Sequence, residues 1–245
     1  MTNKDKEDQY KSTLNLVKKF VESNQRKRIN LLSNIESEVD NLFFIGKKLF
    51  DDFEQDWDDW AAGWFLQVLK KHKPDFFNDK KYNNWFITYS DENINYDELQ
   101  LKLLEQRFED ADRITSSFLR RLAGKLAENR GYVFFSEVNN MSGIDLQTID
   151  RLWNVYSNGK FGFSIQAKIL KSVEKNYELL WPKIGWKNDG YWTRYPNAFI
   201  WSLDAPEGHM PLINQLRGVR LMDSILRHPA ISMRHNNILW SKALL

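Results

Sequence analysis

The chain has 245 residues, 42% of them hydrophobic and 14% aromatic, enough apolar material to core one large domain or two small ones. Its 35 Lys and Arg stand against 33 Asp and Glu, a net charge of +2, so no basic nucleic-acid footprint is visible. Cysteine is absent, which excludes disulfides, thiolate chemistry and cysteine-ligated metal centres.

The opening "MTNKDKEDQYK" lacks the apolar run of a secretory signal, and no apolar run approaches the ~20 residues that span a bilayer. The expectation is a soluble protein, at most peripherally associated with membrane. Residues 1–89 carry helical periodicity for most of their length and read as an amino-terminal helical bundle. In "FDDFEQDWDDWAAGWFLQVLKK", Phe53, Trp57, Trp60 and Trp64 fall at spacings of four, three and four, which predicts one apolar stripe on one helix. Asp52, Glu54, Asp56, Asp58 and Asp59 between them read as a solvated face rather than a metal site. From Pro74 to Tyr96 the chain turns rich in Asn, Asp and Lys, which places a boundary near Ser90 and a core domain over 90–230, with a tail over 231–245. The two parts have separate apolar stripes.

Beyond the boundary, Leu99, Leu103 and Leu104 predict one helix, and Ala111, Ile114, Phe118, Leu119 and Leu122 a second that Gly124 ends. Asp145 is placed to cap a helix presenting Leu146, Ile149, Trp153 and Tyr156, stopped by "SNGK"; Ser164 is placed to cap the next, through Ile165, Ile169 and Val173. Residues 181–201 are aromatic and broken by Pro182, Gly185, Gly190 and Pro196, so the fold class is all-α with one long aromatic loop. In the last long helix, Leu212, Leu216, Val219, Met222 and Leu226 form the core stripe, and Asn214, Arg217 and Arg220 share the opposite side.

Standard catalytic signatures are missing. "NGKFGF" lacks the spacing of a phosphate loop, the four histidines show no metal-ligand spacing, and no nucleophile elbow occurs. His209 reads as a turn residue bonding backbone. What remains is aromatic surface beside cations: Tyr191, Trp192, Tyr195, Phe199 and Trp201 could wall a cleft whose flat ligand is held at its anionic groups by arginine forks. On periodicity alone, a solvated helix back is the favoured reading of the three polar residues.

"RGYVFFSEV", "IDLQTIDRLWNVYSNGKFGFSIQ", "GW…Y" and "WSLDAPEGHMPL" together closely resemble the genomes-uncoupled-four family, over about Asn93 to Pro229. These are porphyrin-binding regulators of magnesium chelatase in chlorophyll biosynthesis. The resemblance implies an all-α core with a concave apolar face that binds protoporphyrin IX or magnesium protoporphyrin IX, in some members a bilin. It implies a non-catalytic role, in contact with the large porphyrin-binding subunit of magnesium chelatase, in a cyanobacterial cytoplasm or chloroplast stroma, for a monomer. The ligand-binding residues carried over are Asn214, Arg217 and Arg220 of the last helix and Trp192, Tyr195, Phe199 and Trp201 of the aromatic loop; Phe163 of the "FGFS" motif joins them. One departure is Ser142-Gly143, where many members have Pro-Cys. A ligand-independent helical interaction module is the competing expectation.

Overall fold

Gly63 has no room for a β-carbon: one built there would lie 2.1 Å from the Val155 carbonyl oxygen. This contact fixes the relation between the two halves of the chain. The computed structural model describes residues 3–51, 53–56, 59–213 and 219–233. Helices α1 (Asn3–Val21), α2 (Gln25–Glu36), α3 (Val39–Asp51) and α4 (Trp60–His72) come first, followed by 3-10 turns at Pro74–Asn78 and Lys80–Tyr82. Then come α5 (Asp97–Leu104), α6 (Phe108–Leu122), α7 (Lys125–Arg130), a 3-10 turn at Phe135–Asn140, α8 (Gly143–Val155), α9 (Phe163–Ser172) and α10 (Tyr177–Lys183). Strands β1 (Lys187–Asn188) and β2 (Tyr191–Trp192) form a hairpin, and α11 (Val219–Arg227) and α12 (Pro229–Ser232) close the described fold.

The expected tryptophan stripe does not lie on one helix. The chain leaves helical geometry after Asp51 and re-enters it at Trp60, where the Asp59 carboxylate accepts the Ala61 N–H at 2.9 Å and caps α4. Phe53 is buried from outside the helix, and Trp60 and Trp64 from within it; Trp57 lies outside the described residues. Asp59 also takes a two-pronged bond from Arg28, whose guanidinium covers the Phe20 and Trp60 rings. One side chain thereby ties α1, α2 and the start of α4 together.

The apolar core then runs across residue 90 without a break. Gln67 of α4 donates its side-chain amide to the carbonyls of Leu103 and Tyr156, at 3.0 and 2.8 Å. Arg151 of α8 reaches back to the carbonyls of Gln55 and Ile87. The separate stripes expected for residues 1–89 and 90–230 therefore meet in one packed interior.

Neither of two expected caps is the one observed. Ser142, not Asp145, caps α8, its hydroxyl accepting the Asp145 N–H at 3.2 Å. The Asp145 carboxylate is buried and accepts from Ser90 Oγ, Tyr96 Oη and the Asp91 N–H, and these hydrogen bonds hold it below the usual carboxylate range although burial pushes the other way. At the start of α9, Ser164 stands inside the helix and donates its N–H to Asp150 Oδ1 at 2.8 Å, so a carboxylate from α8 does the capping.

The core stripe of α11 also differs from expectation. Leu221, Met222, Ile225 and Leu226 are buried, whereas Val219 is 37% exposed. Leu212 precedes the helix in non-helical backbone, and Leu216 lies outside the described residues. The helix packs on the 3-10 turn at Phe135–Asn140 and on α9, which selects the 221/225 face.

Candidate functional site

Helix α6 opens on Glu109 and Asp110 and closes on Arg120 and Arg121, charges that suit the helix dipole. Its middle is less ordinary. Asp112 is almost fully buried, and its Oδ1 accepts the Leu212 N–H at 2.6 Å. Desolvation pushes this carboxyl up to about 7, opposed by that N–H and by Arg113. Around it opens a cleft of about 700 Å3, within the roughly 300–1,000 Å3 of small-molecule sites. Arg113, Ser116, Leu119 and Arg120 of α6 line it, with Tyr132 and Val133, Trp192 to Tyr195, Leu212 and Ile213, and Leu221 of α11.

The aromatic wall stands on a rigid base. Asp189 and Gly190, both at positive φ, turn the hairpin in the manner of an Asp-Gly two-residue loop, with Lys187 opposite Trp192. Buried Trp186 stacks on Trp181 at 5.8 Å and donates its indole N–H to the His209 carbonyl. Trp192 leans on Trp181 at 5.4 Å yet stays 48% exposed. Tyr195, 44% exposed, sits edge-on to Phe199 and Trp201. His209 is the backbone-bonding turn residue expected: Nδ1 contacts the Ile184 carbonyl at 2.6 Å and Nε2 faces the Ile200 N–H at 3.3 Å. With Nδ1–H donating and Nε2 accepting, the ring is neutral, consistent with burial holding it below its ordinary value.

The structure divides the expected ligand-binding residues. Trp192 and Tyr195 line the cleft. Phe199, only 6% exposed, stacks with Trp201 at 5.6 Å behind Tyr195, and Trp201 donates its indole N–H to the Pro196 carbonyl, so both buttress the wall without forming its surface. Phe163 is fully buried at the start of α9, in the apolar core and off the cleft lining. Arg220 is exposed, its guanidinium 5.5 Å from the Phe135 ring centre rather than on the cleft lining. Asn214 and Arg217 lie outside the described residues. Missed in the sequence were Asp112, Arg113, Ser116, Arg120, Tyr132 and Arg194. The signal was there: Arg113, Ser116 and Arg120 recur at i, i+3 and i+7, one face of α6.

Among the described residues, no group of three His, Asp or Glu could hold a metal ion, and no helix is long and apolar enough to cross a membrane. What fold and cleft define is a helical protein with one aromatic, arginine-edged ligand cleft. Residues 89–229 match the family model described as GUN4-like, and the chain belongs to that family. It is 43% identical over 176 residues to a Ycf53-like protein of Synechocystis, covering 70% of this chain and 76% of that protein. It is 39% identical over 151 residues to a chloroplastic tetrapyrrole-binding protein of Arabidopsis thaliana, spanning 58% of this chain and 57% of that one. Among solved structures, GUN4 from Chlamydomonas reinhardtii superposes with a TM-score of 0.57 at 36% identity, over 61% of this chain and 96% of the other. Ligand-free Arabidopsis GUN4 gives 0.53 at 41% identity, over 56% and 98%.

Proposed function

We propose that the chain is a non-catalytic tetrapyrrole-binding protein that takes protoporphyrin IX or magnesium protoporphyrin IX and stimulates magnesium chelatase. The observation that carries this reading is the cleft itself: exposed aromatic residues Trp192 and Tyr195, apolar Leu119, Val133 and Ile213, and three arginines, Arg113, Arg120 and Arg194, line it together. A flat apolar macrocycle with carboxylate side chains matches that division of surface. The name of the Arabidopsis relative supports the same ligand class. A bilin, carrying the same carboxylates on an open chain, is a second ligand of that class.

In this reading the protein does no bond chemistry. Trp192 and Tyr195 stack on the ring, the apolar floor excludes water, and Arg120 and Arg194 bind the acidic edge. Asn214, Arg217 and Arg220 enter as further rim contacts, carried over from the family resemblance. The partner is the large porphyrin-binding subunit of the chelatase, met in a cyanobacterial cytoplasm or a chloroplast stroma; the relatives are cyanobacterial, plastid and chloroplastic proteins.

The test has two stages. Purified protein titrated with protoporphyrin IX is expected to shift the porphyrin absorption band and saturate near one ligand per chain. Added to a magnesium chelatase assay, it is expected to raise the rate, and to insert no magnesium alone. An unshifted band at saturating porphyrin contradicts the ligand; an unchanged chelatase rate contradicts the stimulation.

A further inference from the structure

The arginines of the cleft are not equivalent. Arg113 is ion-paired with Glu109 at 2.5 Å. Arg120, one face of α6 further on, and Arg194, which follows the hairpin, have no carboxylate partner among the described residues. At 1.5 Å of rise per residue, Arg120 stands ~10.5 Å along the helix from Arg113. The carboxylate that does line the cleft, Asp112, is engaged with the Leu212 N–H and is partly protonated near neutrality. Two guanidiniums thus border the cleft with no carboxylate partner among the described residues. Guanidinium forks favour carboxylates through paired, charge-assisted hydrogen bonds.

We infer that Arg120 and Arg194 form a carboxylate clamp for the ligand's acidic side chains, separate from the polar residues of the last helix. The inference rests on the tetrapyrrole reading and deepens it. The ligand class that fills the cleft and satisfies both arginines is a tetrapyrrole with free carboxylates on one edge. Arg113, already paired with Glu109, stands outside the clamp. Esterified tetrapyrroles keep the stacking surface and lose the clamp.

The experiment uses the full chain, protoporphyrin IX and its dimethyl ester, followed by the absorption band. The proteins are wild type, Arg120→Ala with Arg194→Ala, and Arg120→Lys with Arg194→Lys, each checked for an unchanged melting temperature. Wild type is expected to bind the free acid more tightly than the ester. The double alanine variant is expected to lose about 5- to 150-fold for the free acid and little for the ester. The lysine pair, keeping charge without the fork, is expected to fall between. A double alanine variant that binds the free acid as wild type does overturns the clamp, as does an equal loss for acid and ester. A wild type that binds neither ligand overturns the tetrapyrrole reading and the clamp with it.

Discussion

Asp112 and Leu212 stand 100 residues apart in sequence and share a 2.6 Å hydrogen bond, carboxylate to backbone N–H, at the cleft. It joins α6 to the segment that leads toward α11, so two walls of the site are set by one contact.

The burial of that carboxylate makes stability depend on pH in a defined direction. Burial raises Asp112 from the ordinary 3.8 to about 7, against the pull of the Leu212 N–H and Arg113 and with a small push from Glu109. The folded protein keeps this proton where the unfolded chain has lost it. The group's contribution is therefore complete below about pH 3.8 and is lost as pH rises toward 7. Asp112→Asn is permanently neutral and can still accept from Leu212. Its unfolding free energy minus that of wild type is expected to grow by roughly 1–4 kcal/mol between pH 4 and 8. His209 and His228, held low by burial, give the opposite slope below pH 6.5 in both proteins and cancel in the difference. Denaturant titrations across that range check it; a pH-independent difference contradicts it.

Gly63→Ala tests how the amino-terminal helices are seated. Its β-carbon would meet main chain at Val155, which cannot swing aside as a side chain can. We expect a loss of about 1–3 kcal/mol or more, read as a lower urea midpoint. An unchanged midpoint would show that α4 does not rest on the end of α8.

Arg217→Ala combined with Arg220→Ala tests the rim carried over from the family. Weaker protoporphyrin binding is expected, by about 5- to 150-fold, with the dimethyl ester little affected. Equal affinity for both proteins would confine the carboxylate contacts to the α6 side.

The helices were legible because each buries an apolar face at helical spacing: Leu99 with Leu103, Ala111 with Leu119 and Leu122, Ile149 with Trp153. What stayed hidden depends on partners distant in sequence. Asp145 looks like a cap until Ser90 and Tyr96 arrive from 55 and 49 residues away to bury it. Phe53 and Trp64 share helical spacing, yet the acidic stretch between them caps α4 through Asp59 and leaves the helical path. Within the site, Trp192 and Tyr195 were readable from the aromatic loop. Arg113 and Arg120 were passed over because charged residues on a helix ordinarily face water, and only the fold shows what stands opposite.

The most direct test of the account fills the cleft. Ser116 lines it from the centre of the exposed α6 face, between Arg113 and Arg120. Ser116→Trp is expected to leave the melting temperature nearly unchanged and to place an indole where the macrocycle would lie. Protoporphyrin IX is titrated into both proteins, following the absorption band and tryptophan emission together. The account predicts a saturable band shift and quenching for wild type, through Trp192 at the wall, and loss of both for Ser116→Trp. A folded Ser116→Trp protein that binds protoporphyrin as tightly as wild type would contradict it, because the ligand would then lie outside this cleft.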